Sequence, residues 1–164
     1  MTLLLDCLLN FVFVVIVVFC SQDCTPSMAN RSFRSVWLSN IIPSKNISSP
    51  TSFPSNESVS CSWKVYVPRG FRIKVHFNYF DVKNSSNCSQ AAVEVAEKQG
   101  HIDTVLGRYC GEVPDDVVST FNFVSVIYTA SSGSTQAHAG FHASLLLAPA
   151  GKKFISTKEW WFPN

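Results

Sequence analysis

Phe71-Arg72-Ile73-Lys74-Val75-His76-Phe77-Asn78 alternates throughout: every odd position is apolar and every even one polar. Successive side chains of an extended chain point to opposite faces, so this stretch reads as a strand with one buried and one wet face. The same period of two appears in Trp63, Val65 and Val67, set against Ser62, Lys64 and Tyr66. It recurs in Val93 and Val95, in Phe121 and Phe123, in Val124, Val126 and Tyr128, and in Phe141, Ala143, Leu145 and Leu147. Turn formers separate these runs: Pro68-Arg69-Gly70, residues 84–87, Gln99-Gly100, Pro114-Asp115 and residues 131–134. Residues 21–60, rich in Ser, Asn and Pro, read as mostly loop with one or two short strands. Beyond residue 20 no segment sustains a period of 3.6. The fold class is therefore all-β. Apolar faces of this kind need a covering sheet, which makes an antiparallel β-sandwich the expected architecture.

Residues 7–20 form an apolar run broken only by Asn10. As a helix, fourteen residues span about 21 Å, short of a hydrocarbon core of about 30 Å. The run reads as the core of a secretory signal peptide, with cleavage after Cys20. Its leading segment holds Asp6 and no Lys or Arg, so an uncleaved anchor and a buried core segment are the competing readings. The expected division is a signal peptide over 1–20, the sandwich over 21–147 and a tail over 148–164. A cleaved chain would keep nothing that holds it in a membrane.

Cleavage would leave four cysteines, Cys24, Cys61, Cys88 and Cys110. An even number in a secreted chain predicts two disulfides with three possible pairings. Sequons agree with secretion: Asn30, Asn46, Asn56 and Asn84 are the expected glycosylation sites. A fifth sequon at Asn87 is the weakest, because its middle residue is Cys88. The net charge is +2, with no run of Lys and Arg to attract nucleic acid or an anionic membrane.

The motifs resemble those of the CUB domain, a β-sandwich module of extracellular proteins. The resemblance runs through Ile47-Ser48-Ser49-Pro50, Phe53-Pro54, Cys61-Ser62-Trp63, Val67-Pro68-Arg69-Gly70 and Phe77 to Asp81. It continues with Cys88, Leu106-Gly107-Arg108-Tyr109-Cys110-Gly111, Pro114 and Gly140-Phe141-His142-Ala143. It implies a CUB-like jelly roll with bridges Cys24–Cys61 and Cys88–Cys110. Here the gap between Cys24 and the Ile47 motif is longer than is usual in the family. Bridges closing loops of about 37 and 22 residues stabilise by roughly 3–4 kcal/mol each. Many members bind calcium through three acidic residues. The matching positions here are Lys83, Ala91 and Ser131. Calcium favours several oxygen ligands, mostly carboxylates, so these substitutions predict no calcium site and no cofactor.

Other chemistry is sparse. His76, His101, His138 and His142 invite a zinc reading, but residues four apart on a strand lie about 13 Å from each other, too far to share an ion. The histidines read as solvated or in loops, and the Asp115-Asp116 pair as solvated. No nucleophile elbow occurs, so no enzyme is expected. Arg69, Arg72, Lys74 and Lys83 read as a solvated basic face. The tail carries Trp160-Trp161-Phe162, either a docking patch or a segment folded back on the sandwich. The expected protein is a secreted, non-catalytic glycoprotein that binds extracellular protein or glycan. A piece of a multi-domain receptor or protease, and a spermadhesin-like carbohydrate binder, are the alternatives.

Overall fold

The structure, a computed structural model, describes residues 30–50, 58–132 and 138–151, with side chains from Arg34 onward. The proposed signal peptide, Cys24, Asn56 and the Trp160-Trp161-Phe162 tail lie outside the described residues. The strands are β1 (Asn30–Trp37), β2 (Ser44–Ser48), β3 (Val59–Tyr66), β4 (Phe71–Asp81), β5 (Ala91–Gln99), β6 (Ile102–Tyr109), β7 (Val117–Val118), β8 (Phe123–Ala130) and β9 (Gly140–Pro149). They form a five-stranded sheet in the order β1-β3-β8-β5-β6 and a four-stranded sheet in the order β2-β9-β4-β7.

Alternation sets which side chains are buried. In β4, Ile73, Val75 and Phe77 face inward while Lys74, His76 and Asn78 face out. The phase then slips. A register shift between Phe77 and Tyr79 against β9 leaves Tyr79 44% exposed and turns Phe80 into the core. Trp63, Val65, Val93, Val95, Val124 and Val126 line the inner face of one sheet, and Ile47, Ile73, Val75, Phe141, Ala143 and Leu145 that of the other. Trp63 meets Phe141 edge to face with centroids 5.7 Å apart. Each large side chain buried this way contributes about 1.5–3 kcal/mol.

One pairing departs from the antiparallel expectation: β1 lies parallel to β3. The reason is the crossover. Between them the chain passes into the other sheet as β2, paired with β9, and so re-enters beside β1 from the same end.

Three local devices fix the sandwich at sites where the sequence motifs meet. Ser49 Oγ accepts a hydrogen bond from the Phe141 N–H at 2.9 Å, and the Ser49 N–H donates to the Phe141 carbonyl at 3.0 Å. Gly140 sits at φ +81°, and a Cβ there would overlap Ser49 Oγ, so glycine is required twice over. Gly107 leaves room for the Tyr109 ring, which reaches Phe77 in the core. Finally, Glu97, only 5% exposed, accepts from the Thr120 N–H at 2.6 Å and the Phe121 N–H at 3.4 Å. That carboxylate ties the end of β5 to the loop entering β8.

A disulfide joins Cys88 to Cys110, 22 residues apart, with Cα atoms 5.6 Å from each other. Cys61, buried at the start of β3, is also disulfide-bonded, and its expected partner Cys24 lies outside the described residues. The Cys88–Cys110 bridge marks one end of the sandwich, where the β4–β5, β6–β7 and β8–β9 connections gather.

Candidate functional site

Among the described residues nothing covers the outer face of the five-stranded sheet. Trp37, Tyr66 and Phe123 are direct cross-strand neighbours on β1, β3 and β8. Their rings form a ladder: Trp37 stacks on Tyr66 at 4.7 Å and 16°, and Tyr66 meets Phe123 at 4.9 Å. Trp37 is nevertheless 68% exposed, because nothing covers its other face among the described residues. Tyr66 and Phe123 also line a groove of about 640 Å³, together with Ser62, Lys64, Glu94 and Val105. Val105 and Ile102 on the edge strand β6 are 56% and 67% exposed.

Charges on this face are paired rather than loose. Arg108 donates to Glu94 at 3.0 Å and to the Cys88 carbonyl at 3.2 Å, and Lys98 faces Asp103 at 3.4 Å. The face thus offers apolar area, an aromatic platform and fixed polar groups, the combination found at recognition surfaces.

The outer face of the four-stranded sheet is polar. Asp116 accepts from Lys74 and from His76 Nδ1, each at 2.6 Å. Burial would raise the Asp116 carboxyl, but the Lys74 and His76 hydrogen bonds and charges hold it below its ordinary range. Asp116 is exposed, as its Asp-Asp context suggested, but it is ion-paired, and Lys74 belongs to that pair rather than to a loose basic face. His76 and Ser144 are cross-strand neighbours, which places serine, histidine and aspartate together. The Ser144 hydroxyl, however, lies against the amide oxygens of Asn78 at 2.8 Å and Asn46 at 3.0 Å. It sits mid-strand, with no elbow to present it.

His138 precedes β9 instead of lying on it. Its Nδ1 donates to Asp81 at 2.7 Å, and the Ala139 N–H donates to the same carboxylate at 2.9 Å. Those two bonds lower the Asp81 carboxyl. His76 is exposed and His138 lies in a loop, as the sequence suggested, and each is in addition partnered by an aspartate.

At the positions matching the family's calcium ligands, Ala91 is buried against Ala130, and Lys83 is partly buried. The Ser131 N–H and hydroxyl both donate to the Gln90 carbonyl, at 2.8 and 3.0 Å. Of the sequons, Asn46 and Asn84 are exposed, and the Asn30 side chain lies outside the described part.

Two stacked sheets of mostly antiparallel strands define a β-sandwich domain. The profile of the CUB domain matches residues 40–145, and the chain belongs to that family. Among curated proteins it is 31% identical over 124 residues to tolloid-like protein 1 of Homo sapiens, covering 75% of this chain and 12% of that protein. It is 33% identical over 84 residues to cubilin of Canis lupus familiaris, covering 51% of this chain and 2% of that one. Mannan-binding lectin serine protease 1 of Mus musculus is 32% identical over 103 residues, covering 57% of this chain and 14% of the protease. The chain therefore spans a small part of these relatives. Among solved structures, the CUB1-EGF-CUB2 domains of rat MASP-1 superpose with a TM-score of 0.58 at 25% identity, over 70% of this chain and 43% of that one. The MASP-1 CUB2 domain bound to Ca2+ shares the fold, with a TM-score of 0.52 at 19% identity, over 68% of this chain and 96% of that one.

Proposed function

We propose that the chain is a secreted, glycosylated and non-catalytic module that recognises an extracellular protein through the open face of its five-stranded sheet. The observation that carries this reading is the Trp37–Tyr66–Phe123 ladder, stacked yet exposed, beside a groove with fixed charges. Tryptophan and tyrosine bury large area at low entropy cost, which is why they dominate interface energetics. Membership of a family of extracellular modules supports the location and the absence of catalysis. The apolar segment over 7–20 supports export. Asn46 and Asn84 are the glycosylation sites on this reading. Ser48 of the Asn46 sequon is only 7% exposed in β2, so this reading requires glycosylation there before the strand folds.

The flat free face of Trp37 also suits a sugar ring, which keeps the spermadhesin-like glycan reading as second choice. The test is capture from serum or matrix extract with the glycosylated chain, against a Trp37→Ala/Val105→Asp variant. Losing an aromatic anchor costs about 2 kcal/mol or more, so the captured protein should weaken about thirtyfold. Equal capture by the variant would refute the assignment. A positive glycan array with no protein partner would favour the second reading.

A further inference from the structure

Asn46 stands in the middle of the edge strand β2, exposed on the outer face of the four-stranded sheet. Its cross-strand partner is Ser144 of β9, and the next pair on that face joins Ser48 to His142. On the other side of β9, His142 pairs with Tyr79 of β4. The bulge after Phe77 leaves Asn78 and Tyr79 exposed together. Tyr79 is 44% exposed, and its ring lies 6.1 Å from that of His142, which is also exposed. An aromatic platform thus stands beside a sequon.

The Ser144 hydroxyl decides which way a sugar on Asn46 leaves. It faces two amide oxygens, Asn78 Oδ1 at 2.8 Å and Asn46 Oδ1 at 3.0 Å. A hydroxyl has one proton to donate, so one of these amides presents its NH2 to Ser144 instead. Asn78 belongs to no sequon, and turning its amide in place completes a chain: Asn78 donates to Ser144, and Ser144 donates to Asn46. The Asn46 carbonyl then points across the sheet toward β9. A glycosylated asparagine is a secondary amide, trans like a peptide bond. Such an amide holds the substituent on nitrogen on the same side as the oxygen. The first sugar is therefore aimed over β9. With the Asn46 nitrogen toward Ser144 it would leave past the edge of β2.

His142 is the diagonal neighbour of Asn46, a spacing of about 7–8 Å on adjacent antiparallel strands. Aromatic ring faces are electron-rich and accept the C–H face of a sugar, and covering an exposed tyrosine is favourable. We propose that the N-glycan of Asn46 folds back over the outer face of the four-stranded sheet, its first sugars stacked on Tyr79 and His142. This rests on the glycosylation of Asn46 read above, and it gives the two faces different tasks. The sugar covers one sheet and leaves the Trp37 face of the other to the partner. A covalent tether beside the platform keeps the effective concentration of the sugar there high.

The full glycosylated chain is produced with isotope-labelled N-acetylglucosamine. Site occupancy is read by mass spectrometry of its glycopeptides, and the folded protein by NMR of the N-acetyl methyl groups. Asn46 should be occupied. One methyl signal, lost in Asn46→Gln, should lie upfield of the others under the ring current of Tyr79. Tyr79→Ala should remove that shift and speed native release of the Asn46 glycan by peptide N-glycosidase severalfold, with release at Asn84 unchanged. Ser144→Ala keeps both rings but frees the amide and should shrink the shift; it replaces Tyr79→Ala if that variant does not melt like wild type. An unoccupied Asn46 overturns the proposal together with the glycosylation reading at that site. An occupied Asn46 whose signal is unshifted, or whose release is equal in Tyr79→Ala, overturns the proposal alone.

Discussion

Replacing Gly140 by alanine tests the joint between the Ser49 and Phe141 segments. Two costs are expected. Gly140 stands at φ +81°, where a Cβ is strained by about 1–2 kcal/mol. The new methyl also displaces Ser49 Oγ, the acceptor for the N–H of the fully buried Phe141. A buried N–H that loses its partner costs about 1–3 kcal/mol. Gly140→Ala should therefore destabilise by about 2–5 kcal/mol, a large share of the roughly 5–15 kcal/mol typical of a domain. Ser49→Ala alone should cost only the hydrogen-bond part. In the double variant that part is lost once, not twice, so the two costs should fall short of additivity by about 1–3 kcal/mol. The assay is urea unfolding followed by far-UV circular dichroism, with the slope held to wild type. Gly140→Ala costing under about 0.5 kcal/mol, or additivity within that margin, would refute the reasoning.

Further outcomes follow from the same contacts. Removing the bridge with Cys88→Ala/Cys110→Ala frees a 22-residue loop and should cost about 3 kcal/mol by urea midpoint. Glu97→Ala leaves the Thr120 and Phe121 N–H groups without their acceptor and should cost about 1–3 kcal/mol, while faster hydrogen exchange appears in residues 119–122. Asp81 has its carboxyl lowered from 3.8 by the His138 and Ala139 hydrogen bonds. Its contribution is therefore complete above about pH 4 and lost as pH falls through the lower folded value, so Asp81→Asn should flatten that part of the stability profile. With Lys83, Ala91 and Ser131 at the ligand positions, titration calorimetry should show no calcium binding at low-micromolar affinity.

Much of the sandwich was legible because strands with one wet face write their burial into alternate residues. β3, β4, β8 and β9 carry that signal, and Trp63, Ile73, Val126 and Phe141 are core as the alternation implies. Where backbone geometry broke the period, the pattern carried no sign of it. The bulge at Asn78 exchanges Tyr79 for Phe80, and it exists only through pairing with β9. β6 shows no alternation because its register slips opposite Val95 and Ala96 and because Gly107 yields its space to Tyr109. The parallel placement of β1 follows from a crossover between sheets, which no local pattern records. The open face was invisible for a similar reason. Trp37, Tyr66 and Phe123 are far apart in the chain and become neighbours only through register. The His76–Asp116 and His138–Asp81 pairs, 40 and 57 residues apart, likewise depend on tertiary contact.

The central claim concerns which face meets the partner, and hydrogen exchange on the captured complex reads it directly. Protection should rise along β6, an edge strand among the described residues, and in the segments carrying Trp37, Tyr66 and Phe123. β2 and β7, at the edges of the other sheet, should exchange as in the free protein. Protection confined to β2, β7 and the Asp116 side, with β6 unchanged, would contradict the account.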